Sequence, residues 1–173
     1  HKNHTVLLLA LNLLRKERGI ELPLALTGID FEGRKSLDLL LGALGLREVV
    51  HFLGYLPRQE LRDIYRSATL LVFPSLFEGF GLPVLEAMSC GVPFAHSAIP
   101  SLEVIPEGAT LRFSPGSPPE IADTVGRLFD PTLRRSLRTA ALLAVEDYRP
   151  QVVLGRLQDI LAREGCPLPE AVG

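Results

Sequence analysis

Short apolar runs alternate with helix-forming segments along this chain, and that alternation restricts the fold more than any other feature. "LPLALTG" (22–28), "EVVHFLG" (48–54), "TLLVF" (69–73), "PFAHS" (93–97) and "ATLRF" (109–113) read as strands. They are near-continuous in apolar residues, the pattern of strands buried on both faces. Between them lie segments of helical period: 3–18, "RKSLDLLLGALGL" (34–46), "PRQELRDIYRSA" (57–68) and 83–90, the last stopped by Gly91. Further helices run from Pro118 to Leu128, from Pro131 to about Asp147 and from Gln151 to Glu164. Strand alternating with helix points to parallel pairing through crossover connections. The expected class is α/β, a Rossmann-like doubly wound parallel sheet covered on both faces. Helical period begins at residue 3 with no strand before it, so the first strand of such a sheet is expected upstream of His1, in a longer polypeptide.

The 173 residues suit one domain, 1–165, with a flexible tail over 166–173. Hydrophobic residues make up 47% and charged residues 22%, a globular rather than a disordered composition. A net charge of −2 with no basic block argues against nucleic acid as a main partner. The apolar run "TVLLLALNLL" is too short to span a bilayer, and His-Lys-Asn-His does not open a signal peptide. Cys90 and Cys166 have neither metal nor disulfide spacing and read as small residues in a reducing cytoplasm.

In an open parallel sheet, ligands bind beyond the carboxyl ends of the strands. Gly28, Leu53-Gly54-Tyr55 and Pro74-Ser75 each end a strand, and Lys2-Asn3 opens the first helix, so all four segments are expected on one edge. The richest chemistry there is "PSLFEGFGLPVLEAMSCGVP" (74–93). Gly79 and Gly81 leave main-chain amides unshielded and permit unusual φ values. Pro83 suits a first helical position. Bare amides and a helix dipole make an anion site suited to phosphate, which Lys2 could approach from the neighbouring helix start. Two carboxylates in the same stretch would repel phosphate, so Glu78 and Glu86 read as acceptors for the hydroxyl groups that flank it. A helix side chain leans toward the N-terminus, so Glu86 can reach a ribose. Glu78, upstream in the loop, falls on the other side of the phosphate, where a sugar could sit. The ligand this describes is a nucleotide sugar. Each residue also has a plainer explanation: Glu86 as dipole compensation, Glu78 and Lys2 as solvated charge, Gly-Phe-Gly as a tight loop. Only the combination departs from these.

With those residues in place, the chain resembles the retaining glycosyltransferases of family 4, the glycosyl transferases group 1, which have the GT-B fold. The resemblance rests on "HKNHTVLLLALNLL", "LALTG", "VHFLGYLPRQELRDIYRSATLLVFPSLFEGFGLPVLEAMSCGVP" and "SLEVIPEGATLRFSP", with the Glu78-x7-Glu86 spacing as its signature. It implies the C-terminal, donor-binding half of a two-domain enzyme. Lys2 is then similar to the lysine on the donor diphosphate, and Glu78 to the glutamate on the donor sugar, the catalytic candidate. The amides of Gly79, Phe80, Gly81 and Leu82 would bind sugar and phosphate oxygens, and Glu86 the ribose. Gly54, Tyr55 and Leu56 match the segment beside the base, and Gly28 and Ser75 complete the edge. The resemblance implies transfer of a hexose with retention, by front-face attack, without metal or other cofactor. The donor would be GDP- or UDP-linked, with GDP-mannose favoured because "HKNH" resembles some mannosyltransferases. A glycan or lipid-linked acceptor would be held by an N-terminal domain, in the cytoplasm or at the inner face of the membrane with peripheral contact. This segment alone is expected to be inactive.

The chain departs from the family pattern in places. The family's arginine would lie upstream of His1, Phe94 and His96 stand where small residues are common, and "PSLEV" is one residue short. His96 reads as a packed strand-end residue. The alternative is a non-catalytic nucleotide-sugar-binding module of the same fold. A Rossmann oxidoreductase is disfavoured, since no G-x-G-x-x-G follows a first strand.

Overall fold

The computed structural model describes residues 1–28 and 33–164. The tail expected at 166–173, with Cys166, lies outside the described residues. Helices α1 (His4–Arg18), α2 (Arg34–Leu44), α3 (Arg58–Ser67), α4 (Leu82–Cys90), α5 (Pro118–Arg127), α6 (Pro131–Ala144) and α7 (Pro150–Arg163) alternate in their first part with strands β1 (Leu24–Thr27), β2 (Val50–Gly54), β3 (Leu71–Phe73), β4 (Phe94–Ser97) and β5 (Leu111–Phe113). The punctuation follows from the sequence. Gly19, Gly45 and Gly91 close α1, α2 and α4 in the left-handed conformation. Ser117 caps α5, and Asp130 caps α6 by accepting the amides of Thr132 and Leu133.

All strand pairs are parallel, as expected, but the described strands form two sheets: β1–β2, and β3–β4–β5. β1 and β3 are not paired. Between them lies an apolar cleft of about 370 Å³, lined by Leu7, Leu11 and Leu14 of α1, by β1, and by residues 70–72. The expectation of strands buried on both faces holds for β4, which is buried throughout, and fails for β1 and β2, where burial alternates. Those two strands form the outer pair.

Layers cover both sides. Leu7, Leu8, Leu11 and Leu14 of α1 pack with Leu26, Leu37, Val50, Ala95, Phe113 and Ile121. On the other side Val84 and Met88 of α4 pack with Phe73, Phe94, Leu102, Ile105 and Ala141. Phe94 and Ala95, adjacent on β4, point into opposite cores, as strand alternation requires. His96 is buried, as read from the sequence, and its Nδ1 lies 2.8 Å from the Ser97 carbonyl. The carbonyl can only accept, so the proton sits on Nδ1, and Nε2 is left buried and unpaired. Helix α7 has no buried residue; Val153, Leu154 and Ile160 are exposed along it.

Candidate functional site

The motif loop runs from the end of β3 to the start of α4. Pro74 and Ser75 are buried, Leu76 and Phe77 turn out to solvent, and Gly81 is buried again directly before the helix. Gly81 takes φ 78° and ψ 44°. A Cβ on it would lie 2.5 Å from Cδ2 of Leu102, so the position requires glycine twice over. Gly79 differs: its φ lies outside the left-handed region and its surroundings are open. It contributes bare backbone rather than an unusual φ. Leu102 belongs to the "PSLEV" segment, whose 3₁₀ turn Pro100–Leu102 underlies the motif loop.

Helix α4 starts one residue earlier than the pattern suggested, with Pro83 at its second position. No side chain caps this start. None of the amides of Gly79, Phe80, Gly81 and Leu82 has an acceptor among the described residues. Those four donors precede or open α4, at the positive end of its dipole.

Lys2 and Glu78 meet here. Lys2 Nζ donates to Glu78 Oε1 at 2.6 Å and lies 5.2 Å from the centroid of the Phe73 ring. The sequence points Lys2 at the phosphate and Glu78 at the sugar beside it; in the structure the two side chains are in direct contact. Asn3 fixes the arrangement. It adopts the left-handed conformation, and its side-chain amide donates to the carbonyls of Pro74 at 3.1 Å and Pro115 at 2.7 Å, beyond the ends of β3 and β5. The Leu76 amide donates to the His1 carbonyl at 2.9 Å, and the His1 and Phe77 rings lie 5.2 Å apart. His4 follows on α1; burial, then the nearby Lys2 charge, holds its imidazole below the ordinary range.

Glu86 is exposed and is the fifth residue of α4, past the first turn. Dipole compensation, which fades within that turn, therefore explains it less well than the sequence suggested. The Tyr65 hydroxyl of α3 donates to Glu86 Oε2 at 3.1 Å. Burial, then the Glu86 carboxylate, pushes the Tyr65 phenol well above its usual value, so it keeps its proton and remains the donor.

The remaining expected residues fall into two sets. The Gly28 amide donates to the Gly54 carbonyl at 2.9 Å, and Gly54 turns at φ 68° into an exposed Tyr55 and a half-buried Leu56. No described hydrogen bond joins this pair of strand ends to the motif loop. Ser75 is wholly buried with its hydroxyl unpaired, so it stands behind the site rather than on its surface. Tyr65 and the clamp role of Asn3 escaped the sequence reading. The only sequence signal for Asn3 was its place at a helix entry. Among the described residues, no three His, Cys, Asp or Glu side chains are grouped to hold a metal. No described helix is long and apolar enough to cross a membrane.

Comparison with known proteins extends this picture. The family model of glycosyl transferases group 1 matches residues 1–142. The O-antigen chain mannosyltransferase B of Escherichia coli is 38% identical over 146 residues, which is 83% of this chain and 38% of that protein. The MMP alpha-(1->4)-mannosyltransferase of Mycolicibacterium hassiacum is 37% identical over 152 residues, 85% of this chain and 36% of that protein. The chain thus spans well under half the length of these relatives. Among solved structures, sucrose-phosphate synthase from Thermosynechococcus elongatus superposes with a TM-score of 0.78 at 28% identity, over 94% of this chain and 43% of that one. HepE of Anabaena, solved in complex with UDP and glucose, superposes with a TM-score of 0.76 at 23% identity, over 94% of this chain and 45% of that one, a likeness of fold alone. The fold is that of the C-terminal domain of GT-B glycosyltransferases.

Proposed function

The chain belongs to the glycosyl transferases group 1, and on that premise we propose that it is the donor-binding half of a retaining, family 4 hexosyltransferase. The observation that carries this reading is the Lys2–Glu78 pair set against four unpaired amides at the start of α4. A diphosphate supplies acceptors for the amides and an anion for Lys2. Glu78, freed from Lys2, then accepts from hydroxyls of the donor sugar, and Glu86, braced by Tyr65, accepts from the ribose. Gly54, Tyr55 and Leu56 form the wall beside the base. The acceptor is a glycan or lipid-linked sugar held by an N-terminal domain. Attack on the same face as the departing diphosphate retains configuration, and the diphosphate takes the acceptor's proton. The relatives named as mannosyltransferases favour GDP-mannose as donor over a UDP-linked sugar.

Thermal-shift measurements with GDP, UDP and ADP test the site and its base together. A nucleotide at a hundred times its Kd raises stability by about 2.7 kcal/mol. Stabilisation by GDP above the others supports the reading, and no shift with any of the three refutes it. The isolated chain, given donor and acceptor sugars, transfers nothing; turnover by it alone would show that the acceptor half is not required.

A further inference from the structure

At the sheet edge away from the motif loop, a cavity of about 430 Å³ opens between the ends of α3 and α4 and the start of α6. Arg66 of α3 and Arg134, Arg135 and Arg138 of α6 line it with Thr69 and Gly91, and no acidic side chain is among its walls. None of the four guanidinium groups forms an ion pair with a described residue, and Nε of Arg134 is buried without a partner. Nearby acids along the chain are engaged elsewhere. Asp130 accepts the amides of Thr132 and Leu133, Asp63 accepts from Gln59, and Glu86 accepts from Tyr65.

Helix stability does not account for these arginines. Asp130 caps α6 and meets its dipole, but the first turn holds no acidic residue and does hold Arg134, whose charge opposes that dipole. Four like charges around one hollow also repel one another while it is empty. Arg138 is exposed but lies against Gly91, where a Cβ would come within 3.0 Å of its Nε, and it forms part of the cavity wall. An anion would offset each of these costs, and guanidinium groups match phosphate oxygens in bidentate pairs.

We propose that this cavity binds a phosphate-bearing group, a diphosphate or a phosphate ester, between Arg66, Arg134 and Arg138. Thr69, in its wall, lies at the opposite end of β3 from Ser75, about 20 Å away along an extended chain. The site is therefore separate from the motif loop and does not depend on the donor-binding reading.

The same chemistry can arrive as a free diphosphate or as the headgroup of an anionic lipid. Two arms distinguish these: calorimetry with inorganic pyrophosphate, and co-sedimentation with vesicles of phosphatidylglycerol in phosphatidylcholine against phosphatidylcholine alone. Both use Lys2→Ala protein, which weakens the motif loop, with and without Arg134→Gln/Arg138→Gln, and only the binding lost in the double variant is assigned to the cavity. Saturable pyrophosphate binding that falls about tenfold to a hundredfold in the double variant supports a free-phosphate site. Binding to anionic vesicles alone, lost in the double variant, supports a headgroup site. Binding in neither arm, or binding that the double variant leaves unchanged, overturns the proposal. If the double variant melts early by circular dichroism, Arg66→Gln takes its place with the same outcomes.

Discussion

Alanine at position 81 tests whether backbone geometry shapes the motif loop. Gly81 sits at φ 78° immediately before α4, and a Cβ there would lie 2.5 Å from Cδ2 of Leu102. Leu102 is fully buried, so its methyl has no solvent to swing into. The left-handed conformation costs a non-glycine residue about 1–2 kcal/mol. Forcing a methyl group into filled space costs about 1–3 kcal/mol more. Gly81→Ala should therefore destabilise the chain by about 2–5 kcal/mol, a large part of the roughly 5–15 kcal/mol that holds a domain together. Gly79→Ala is the internal control, two residues away in the same loop, with open space around it and no left-handed φ. Its effect should stay within about 0.5 kcal/mol. Urea unfolding of the three proteins gives the comparison, as shifts in midpoint at constant slope. If Gly81→Ala cost no more than Gly79→Ala, the steric account of the loop would be wrong.

The other predictions concern charge. Lys2→Ala should weaken GDP or UDP far more than the bare nucleoside, and equal losses by calorimetry would remove Lys2 from the phosphates. Glu86→Ala should weaken nucleotide sugar and nucleoside diphosphate alike, by about tenfold to a hundredfold, while Glu78→Ala should weaken only the sugar-bearing ligand. Tyr65→Phe, which removes the brace but not the carboxylate, should give a smaller loss of the same kind as Glu86→Ala; no loss would mean the 3.1 Å bond does not position Glu86. Burial holds His96 below the 6.5 of a free imidazole, so the unfolded chain takes up a proton that the folded chain refuses. Stability is then full above that value and falls as pH drops through it. His96→Leu should flatten the fall, leaving the part due to His4, which shifts the same way; an unchanged slope would clear His96.

Much of the fold was legible because each strand carries its own apolar run and each helix its own stop. Gly91 ends α4 and Pro131 opens α6 where the pattern put them. Boundaries moved by one residue at Leu82 and by about three at Ala144, where α6 gives way to a 3₁₀ turn, because a first or last turn is a matter of local hydrogen bonding rather than of composition. Alternating burial in β1 and β2 was not legible, since a run such as "LPLALTG" looks the same whether one of its faces is covered or two. In the site, the residue types were readable and their contacts were not. Lys2 and Glu78 are 76 positions apart, and nothing local says that Asn3 will draw the start of α1 onto the ends of β3 and β5. Tyr65 was hidden for the same reason: an aromatic on a helix reads as packing until its hydroxyl is seen at a carboxylate 21 residues away.

Two carboxylates beside a bare helix start pose an electrostatic problem that these contacts resolve. Glu78 is largely buried, and its charge is met by Lys2 at 2.6 Å, so the pair adds little net field at the four free amides. Glu86 is set beyond the first turn and takes its hydrogen bond from a phenol that keeps its proton. The attraction for an anion therefore comes from main-chain dipoles, which are fixed, rather than from side chains that must be repositioned. On the proposed reading this couples the two halves of a nucleotide sugar. A diphosphate that draws Lys2 away leaves Glu78 with an unmatched charge, and sugar hydroxyls are the donors available to it. Sugar and diphosphate on one ligand should then bind more tightly than the separate parts imply. Lys2→Ala, which leaves Glu78 permanently unmatched, should erase that advantage while sparing whatever direct contact Glu78 makes with the sugar.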